Sequence, residues 1–279
     1  MDLPPLDVVS ILKDYQIWLK KSLGQNFLVS PAALERIVEA AQIAPGDRVL
    51  EVGAGVGSLT RQLAMRAGRV VAVELDRRLM EPLQEVLRPF QNVQLVQGDI
   101  LDLDVAALME RSGYRVVSNI PYYITSALIR HLLEADAKPL SLVLTLQREV
   151  AERICARPGD LSLLSLSVQV YGEPAIVARI PAEAFYPKPK VDSRVVRVTV
   201  FPTPRVDGAS REVFFRLAQA GFSQRRKTLR NALSSGLAWT KTQTEEICRR
   251  AGIDPGRRAE TLTIEEWIAM AEDVRSTGF

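Results

Sequence analysis

Histidine is almost missing from this chain: its 279 residues include one, His131. That excludes mechanisms needing a pair of histidines, such as most zinc hydrolase sites. A Ser-His-Asp triad is also unsupported, because nothing beside His131 supplies the carboxylate and nucleophile. In ITSALIRHLLEA the residue sits in a helical pattern, where a surface or boundary position is expected. Cysteine is nearly as scarce. Cys155 and Cys248 in a chain this long fit reduced thiols in a cytosol-like compartment better than a disulfide framework. No apolar run approaches the ~18 residues that span a bilayer, so no membrane partner is expected. The start, MDLPPLDVVSILKDYQIWLKK, scatters Asp2, Asp7 and Asp14 among its apolar residues. It lacks a basic region followed by an apolar one, so no secretory signal is read and a cytoplasmic protein is expected. A large charge of either sign is absent too. The net charge is +3, so a basic surface must come from local clustering. What remains, 47% apolar and 25% charged residues, is ordinary globular composition, long enough for one large domain with a smaller companion.

Residues 1–22 read as a short amphipathic helix leading to Lys20 and Lys21. SPAALERIVEAAQI has helical spacing behind Ser30 and Pro31, an N-cap followed by proline in the first turn. Beyond it, short apolar stretches alternate with helical ones: RVLEV (48–52), RVVAVEL (69–75), VQLV (93–96), RVVSN (115–119) and SLVLTLQ (141–147) read as strands. That alternation predicts a doubly wound α/β domain with a mostly parallel sheet over 30–150. LSLLSLSVQVYG, AIVARI and SRVVRVTVF read as three further strands, with a turn at Gly172-Glu173-Pro174 and the linker PAEAFYPKPKVDS before the last. FPTPRVDGAS (201–210) is rich in proline and polar residues and marks a boundary. Past it REVFFRLAQAGF, KTLRNALSSG, TQTEEICRRAG and TIEEWIAMAEDV all read as helices, the last opened by a Thr263/Glu266 capping box. The expected organisation is an N-terminal segment (1–30), an α/β domain (31–204) and a small all-α domain (205–279).

In LEVGAGVGSLT (50–60) a strand runs into Gly53, Gly55 and Gly57, and a helix begins near Ser58. Small residues there let a ligand approach the backbone where a helix N-terminus presents free N–H groups. The next strand ends in Glu74, whose carboxylate can accept from both ribose hydroxyls of a nucleoside. A dinucleotide fingerprint needs its third glycine where Ser58 stands, which disfavours a nicotinamide cofactor. The actual pattern, E-x-G-x-G-x-G from Glu51, resembles the Rossmann-like class I methyltransferases that use S-adenosyl-L-methionine. In that class an acid after the third strand, here Asp99 of VQGDILDL, faces the adenine amino group, and the next residue, Ile100, lies against the ring. Gly55 and Leu75 complete the expected donor site.

SNIPYYIT (118–125) follows the fourth strand, at the same sheet edge. An exocyclic adenine amine is a poor nucleophile because its lone pair is delocalised into the ring. The amide oxygen of Asn119 and the backbone carbonyl of Ile120 can accept its N–H bonds, aligning the lone pair and stabilising developing positive charge. Pro121 fixes the backbone, and Tyr122 offers a stacking face worth ~1–3 kcal/mol to an extruded base. N-x-P-Y resembles the motif of adenine-N6 and some cytosine-N4 methyltransferases. Tyr123 is read as packing.

Longer blocks then resemble one family. KKSLGQNFL (20–28), LEVGAGVGSLT, VELD, GDILDLD, NIPYYITS, LQREVAERI, AFYPKPKVDSRVV, FSQRRKTLRNAL and RAETLTIEEW are similar to the ribosomal RNA adenine N6,N6-dimethyltransferases, over roughly 13–275. The small-subunit (16S) branch fits best. The resemblance implies a seven-stranded sheet followed by a helical RNA-binding domain. It implies S-adenosyl-L-methionine as donor, S-adenosyl-L-homocysteine as product, no metal, and a monomer acting on the immature small ribosomal subunit. The implied substrate is two adjacent adenosines in a hairpin near the rRNA 3′ end. Carried over, Asn26 and Leu28 contact the donor, Gly53 its methionine part, Glu74 the ribose, Asp99 the adenine and Asn119 the reaction centre. Phe185 is implied as a second wall against the base. Two positions depart from the family pattern: Ala54 stands where proline is usual, and Leu161 where tyrosine is. The rival readings are the large-subunit methylase of macrolide resistance and a non-catalytic nucleic-acid-binding factor. FSQRRKTLRNAL and RAETL disfavour the first, and intact Gly53, Glu74, Asp99 and Asn119 disfavour the second.

The same segment places Arg225, Arg226, Lys227 and Arg230 within six residues. At helical spacing Arg226 and Lys227 would each share a face with Arg230, a natural phosphate contact with few acids nearby in sequence. Arg249, Arg250, Arg257 and Arg258 extend the expected RNA-holding surface.

Overall fold

The computed structural model describes residues 3–20, 24–120, 124–224 and 226–278. In chain order the elements are α1 (Val8–Asp14), β1 (Phe27–Leu28), α2 (Pro31–Ala41), β2 (Arg48–Val52), α3 (Ser58–Ala64), β3 (Arg69–Glu74), α4 (Met80–Leu87), β4 (Val93–Gln97), α5 (Val105–Met109), β5 (Tyr114–Asn119) and α6 (Thr125–Glu134). There follow β6 (Pro139–Gln147), α7 (Arg148–Ile154), α8 (Leu163–Gln169), β7 (Gly172–Ile180), β8 (Phe185–Tyr186), β9 (Ser193–Val200), α9 (Gly208–Phe222), α10 (Leu229–Leu237), α11 (Lys241–Arg250) and α12 (Ile264–Thr277).

The expected seven-stranded sheet is present, in the order β4-β3-β2-β5-β6-β9-β7. The first five strands are parallel, and β9 runs antiparallel to β6. From β2 the chain winds outward through β3 and β4, then returns to lay β5 on the other side of β2. That reversal makes the carboxyl ends of β2 and β5 a topological switch point, where α/β sheets open a crevice. The opening is visible in the register. Backbone pairing of β2 with β5 covers Val49 with Arg115 and Leu50 with Val116. Beyond it the Val52 N–H donates instead to the buried Ser118 hydroxyl, at 2.9 Å. Helix α2 covers the sheet much as read: the Ser30 hydroxyl accepts from Ala33 N–H, Pro31 opens the helix, and Ile37, Val38 and Ala41 face the core.

Three local expectations need correction. Residues 161–172, read as a strand, contain the helix α8. Leu164, Ser165, Leu166 and Val168 are all buried, so the alternation of serine and leucine does not report one wet face and one dry one. A reciprocal Ser162/Ser165 capping box starts a helix instead. Gly172–Pro174, read as a turn, begin β7. The N-terminal helix ends at Asp14, where Gln16 takes a left-handed φ of 54°, so it does not continue to Lys20.

The chain divides into two compact units, one formed by residues up to Ala151 with Ala175–Val200, the other by Glu152–Pro174 with Phe201 onward. The segment 152–174, expected in the α/β domain, therefore groups with the C-terminal helices. In that second unit Gly159 N–H donates to the Glu260 carbonyl and Arg205 N–H to the Val170 carbonyl. Helix α9 packs on α8, α10 and α12, around the buried Phe214 and Trp267. The capping box at Thr263 and Glu266 is present. No helix among the described residues is long and apolar enough to cross a membrane.

Candidate active site

At the switch point the glycine turn has the backbone its composition demands. Gly53, Gly55 and Gly57 adopt φ of 79°, 61° and 89°. These are left-handed values that a side chain resists. The Gly53 N–H donates to the Val73 carbonyl at 2.8 Å, tying the turn to β3. At Gly55 a second constraint acts: a Cβ there would lie 3.0 Å from two atoms of the Phe27 ring. The GQNFL segment thus packs directly on the glycine turn. Phe27 and Leu28 form β1 and pair antiparallel with Tyr186 and Phe185 of β8.

Glu74 ends β3 almost fully buried, at 6% exposure. One carboxylate oxygen accepts from Gly55 N–H and the other from Asp76 N–H, each at 2.8 Å. Two bonds fix the carboxylate plane and leave each oxygen a lone pair for a ligand hydroxyl. Burial pushes its pKa up, and the two N–H donors oppose that shift. Glu51, one strand away at 1% exposure, is pushed up to about 8 by burial, with the Glu74 charge adding to it. Glu51 therefore holds a proton at neutral pH, and its Oε2 has no partner among the described residues.

Asn119 ends β5. Its Nδ2 donates to the Asn26 carbonyl at 2.9 Å. Because that partner only accepts, the NH2 end must face it, and Oδ1, on the opposite side, takes no bond from the described residues. Asn26 is held in turn by its own Nδ2 bond to the Gly24 carbonyl, at 3.0 Å. The Asp99 Oδ1 accepts from Leu101 N–H at 3.0 Å, while Ile100 is buried at 3% exposure beside it.

One cleft is lined by Asn26, Leu28, Gly53, Gly55, Glu74, Leu75, Asp99, Ile100, Asn119 and Ile120, together with Glu51. Every residue expected at the donor site thus lines it, Asn119 and Ile120 doing so from the carboxyl end of β5. The arrangement offers hydroxyl acceptors at Glu74, an amine acceptor at Asp99 and an amide oxygen at Asn119. Pro121 and Tyr122, and Arg225 of the basic run, lie outside the described residues. Among the described residues no cluster of three or more His, Cys, Asp or Glu could hold a metal ion.

Other expectations separate from the cleft. Phe185 is 3% exposed in the core with Leu28, Val117 and Val143 and does not line the cleft, so it presents no face to a base here. The shared helical face of the basic run does not form. Arg226 and Lys227 precede Thr228, the N-cap of α10, so among the described residues of the run Arg230 alone is helical. Arg230 is also committed to Glu245 of α11, Nη1 to Oε1 at 2.6 Å. Arg250 pairs with Glu246 and Asp273, Arg257 with Glu266, and Arg258 with Glu260. Arg226, Lys227 and Arg249 are exposed. His131, as expected, is a half-buried boundary residue, its Nε2 3.2 Å from the Leu103 carbonyl.

Phe27, Gln25, Asp76 and Ser118 were not singled out from the sequence. Phe27 sits inside the quoted GQNFL block and Asp76 inside VELD, so the signal was proximity to a motif. Ser118 carried none, since a serine within an apolar strand reads as filler.

The sequence profile of the family described as Ribosomal RNA adenine dimethylase matches residues 18–275. The chain is 46% identical over 258 residues to the Ribosomal RNA small subunit methyltransferase A of Dehalococcoides mccartyi, covering 92% of this chain and 89% of the relative. To the protein of that name from Moorella thermoacetica it is 43% identical over 282 residues, covering 97% and 98%. Among solved structures it resembles the 23S rRNA methyltransferase ErmE, with TM-score 0.69 and 30% identity over 88% of this chain and 98% of the other. A dimethyladenosine transferase from Plasmodium falciparum shares the fold, with TM-score 0.75 at 24% identity over 91% and 98%. With a family profile that spans nearly its whole length and relatives this similar, the chain belongs to the ribosomal RNA adenine dimethylase family.

Proposed function

We propose that this chain transfers methyl groups from S-adenosyl-L-methionine to N6 of two adjacent adenosines in the 3′-terminal hairpin of small-subunit (16S) rRNA. The product is N6,N6-dimethyladenosine, formed during maturation of the small subunit. The observation that carries the reading is the Asn119 amide, anchored through its NH2 so that its oxygen remains available at the cleft. The cleft's residues suit the donor. Glu74 retains one lone pair on each oxygen for the ribose hydroxyls, and Asp99 keeps Oδ2 for the adenine amine. The open Oε2 of Glu51 adds a further buried polar group to the cleft. When bound, the donor supplies an electrophilic methyl group on a sulfonium, and S-adenosyl-L-homocysteine is left.

The protein's work is positioning. Asn119 Oδ1 and the Ile120 carbonyl accept the two N6–H bonds of the target adenine. The nitrogen lone pair is thereby turned out of conjugation and aimed along the transfer line, and its developing positive charge is stabilised. Tyr122 offers the extruded base a stacking face, and Pro121 has no N–H to compete for the acceptors. The methylated N6 is cationic and releases one proton to water; one N6–H remains, so the same acceptors serve the second transfer. The scheme uses no metal ion. Exposed Arg226, Lys227 and Arg249 contact RNA phosphates, and the chain acts as a cytoplasmic monomer on the immature small subunit.

Two facts favour the small-subunit substrate over the large one. The relatives at 46% and 43% identity carry the small-subunit name, whereas the 23S enzyme stands at 30%. Incubation with labelled donor and separate small and large subunits lacking the modification tests the choice. Label is expected in small-subunit RNA. Label in large-subunit RNA selects the large-subunit reading, and label in neither selects a non-catalytic scaffold.

A further inference from the structure

Asp76 has no role in the scheme above, yet it is among the most heavily bonded side chains near the cleft. It is 6% exposed. Its Oδ2 accepts from Gln25 Nε2 at 2.9 Å and from Arg78 Nη2, and its Oδ1 accepts from Arg78 Nε at 2.9 Å. Arg78 therefore grips the buried carboxylate with both prongs of its fork, while its own side chain stays partly exposed. The remaining Arg78 nitrogen, Nη1, donates to the Trp18 carbonyl at 2.9 Å. Gln25 Oε1 accepts from Lys20 N–H at 3.0 Å, so both ends of the Gln25 amide are used. The Asp76 main chain meanwhile donates to Glu74 Oε1.

These bonds connect two segments that line one cleft. Gly24–Leu28 and Glu74 both line it, and Asp76 is bonded to both without lining it. A second tie, from Asn119 Nδ2 to the Asn26 carbonyl, holds the same wall from the β5 side. The wall segment has little regular structure to hold it, since β1 is only two residues long. Its position is set by these side-chain bonds together with the β1–β8 pairing and the packing of Phe27 on Gly55.

We propose that Asp76 is a positioning residue for the methyl donor: through Gln25 and Arg78 it fixes the Gly24–Leu28 wall, while its own N–H fixes Glu74, so one side chain sets the spacing of the donor cleft. The inference rests on the donor-site reading given above. Arg78 is the informative probe. It does not line the cleft, so its loss removes no donor contact and acts only through Asp76 and the wall.

The test is equilibrium binding of S-adenosyl-L-homocysteine to wild-type protein, Arg78→Ala, Arg78→Lys, and Gln25→Ala alone and combined with Arg78→Ala. Wild type binds. Arg78→Ala weakens binding about five- to tenfold with an unchanged near-UV spectrum, Arg78→Lys falls between, and Gln25→Ala costs less in the Arg78→Ala background than alone, as members of one network do. Wild-type-like affinity in Arg78→Ala overturns the positioning role. Should that variant fail to fold, Arg78→Lys decides: it keeps the charge but cannot grip Asp76 and the Trp18 carbonyl together, and unchanged affinity again overturns the proposal. Absence of binding by wild type itself instead overturns the donor-site reading, and the proposal with it.

Discussion

The cleft and the helical unit treat their polar groups in opposite ways. In the cleft three side chains are held by main-chain groups: Glu74 by Gly55 and Asp76, Asn119 by Asn26, Asp99 by Leu101. Each keeps an acceptor position unspent. In the helical unit several cations are spent on neighbouring carboxylates, Arg230 on Glu245, Arg250 on Asp273 and Arg257 on Glu266. The contrast separates two meanings of a charged residue. Unsatisfied capacity inside a rigid, buried frame points to a ligand, whereas a pair between helices points to the fold.

Substitutions can break that contrast, beginning with the largest effect. Asn119→Ala removes the transition-state acceptor and should lower methyl transfer at least ~100-fold in single-turnover assays. S-adenosyl-L-homocysteine affinity should fall far less, by about tenfold at most, because only the Asn119 tie to the Asn26 wall is lost. Gly55→Ala puts a methyl group 3.0 Å from the Phe27 ring at a φ of 61°. It should weaken donor binding about tenfold and lower stability by ~1–2 kcal/mol, read by calorimetry. Near-wild-type values would mean that the packing of GQNFL on the turn is incidental.

Glu51 supplies a pH test. Its folded pKa of about 8 lies above the ordinary 4.5. Between those values the unfolded chain has released the proton that the folded protein keeps, so stability from this group falls as pH rises, by roughly 1 kcal/mol per unit at most. Above the folded value the slope ends. Denaturation series from pH 5 to 8 should therefore be flatter for Glu51→Gln, and parallel curves would show that the carboxyl is ionised when folded. The smallest effects belong to the helical unit. Replacing Arg226 and Lys227 with alanine should reduce the salt slope of RNA binding by ~1–2. Arg230→Ala should leave that slope unchanged and cost under ~1 kcal/mol of stability. A slope reduced by Arg230→Ala alone would return it to the RNA surface.

The same contrast explains what could be read beforehand. Motifs that need unusual backbone are legible because few sequences satisfy them. Three glycines at positive φ, an acid at the next strand end and an amide before proline located the cleft, and the parallel strands wrote themselves as apolar runs. What stayed hidden depends on partners distant in sequence. The acids that occupy Arg230 and Arg257 come from other elements, so a charge run looked free when part of it was not. Residues 161–172 failed for a related reason: with both faces buried, serine and leucine alternation fits a strand and a capped helix equally. Phe185 looked like a base platform because it adjoins a motif, but β8 turns it into the core, at 3% exposure.

The central claim is that the Asn119 amide directs methyl transfer to adenine N6 in small-subunit rRNA. Position-resolved mass spectrometry of unmethylated small-subunit RNA, after incubation with labelled donor and either wild type or Asn119→Ala, tests it most directly. The account predicts N6,N6-dimethyladenosine at two adjacent positions of the 3′-terminal hairpin with wild type, and almost none with Asn119→Ala. Label on other bases, or equal modification by both proteins, would contradict it.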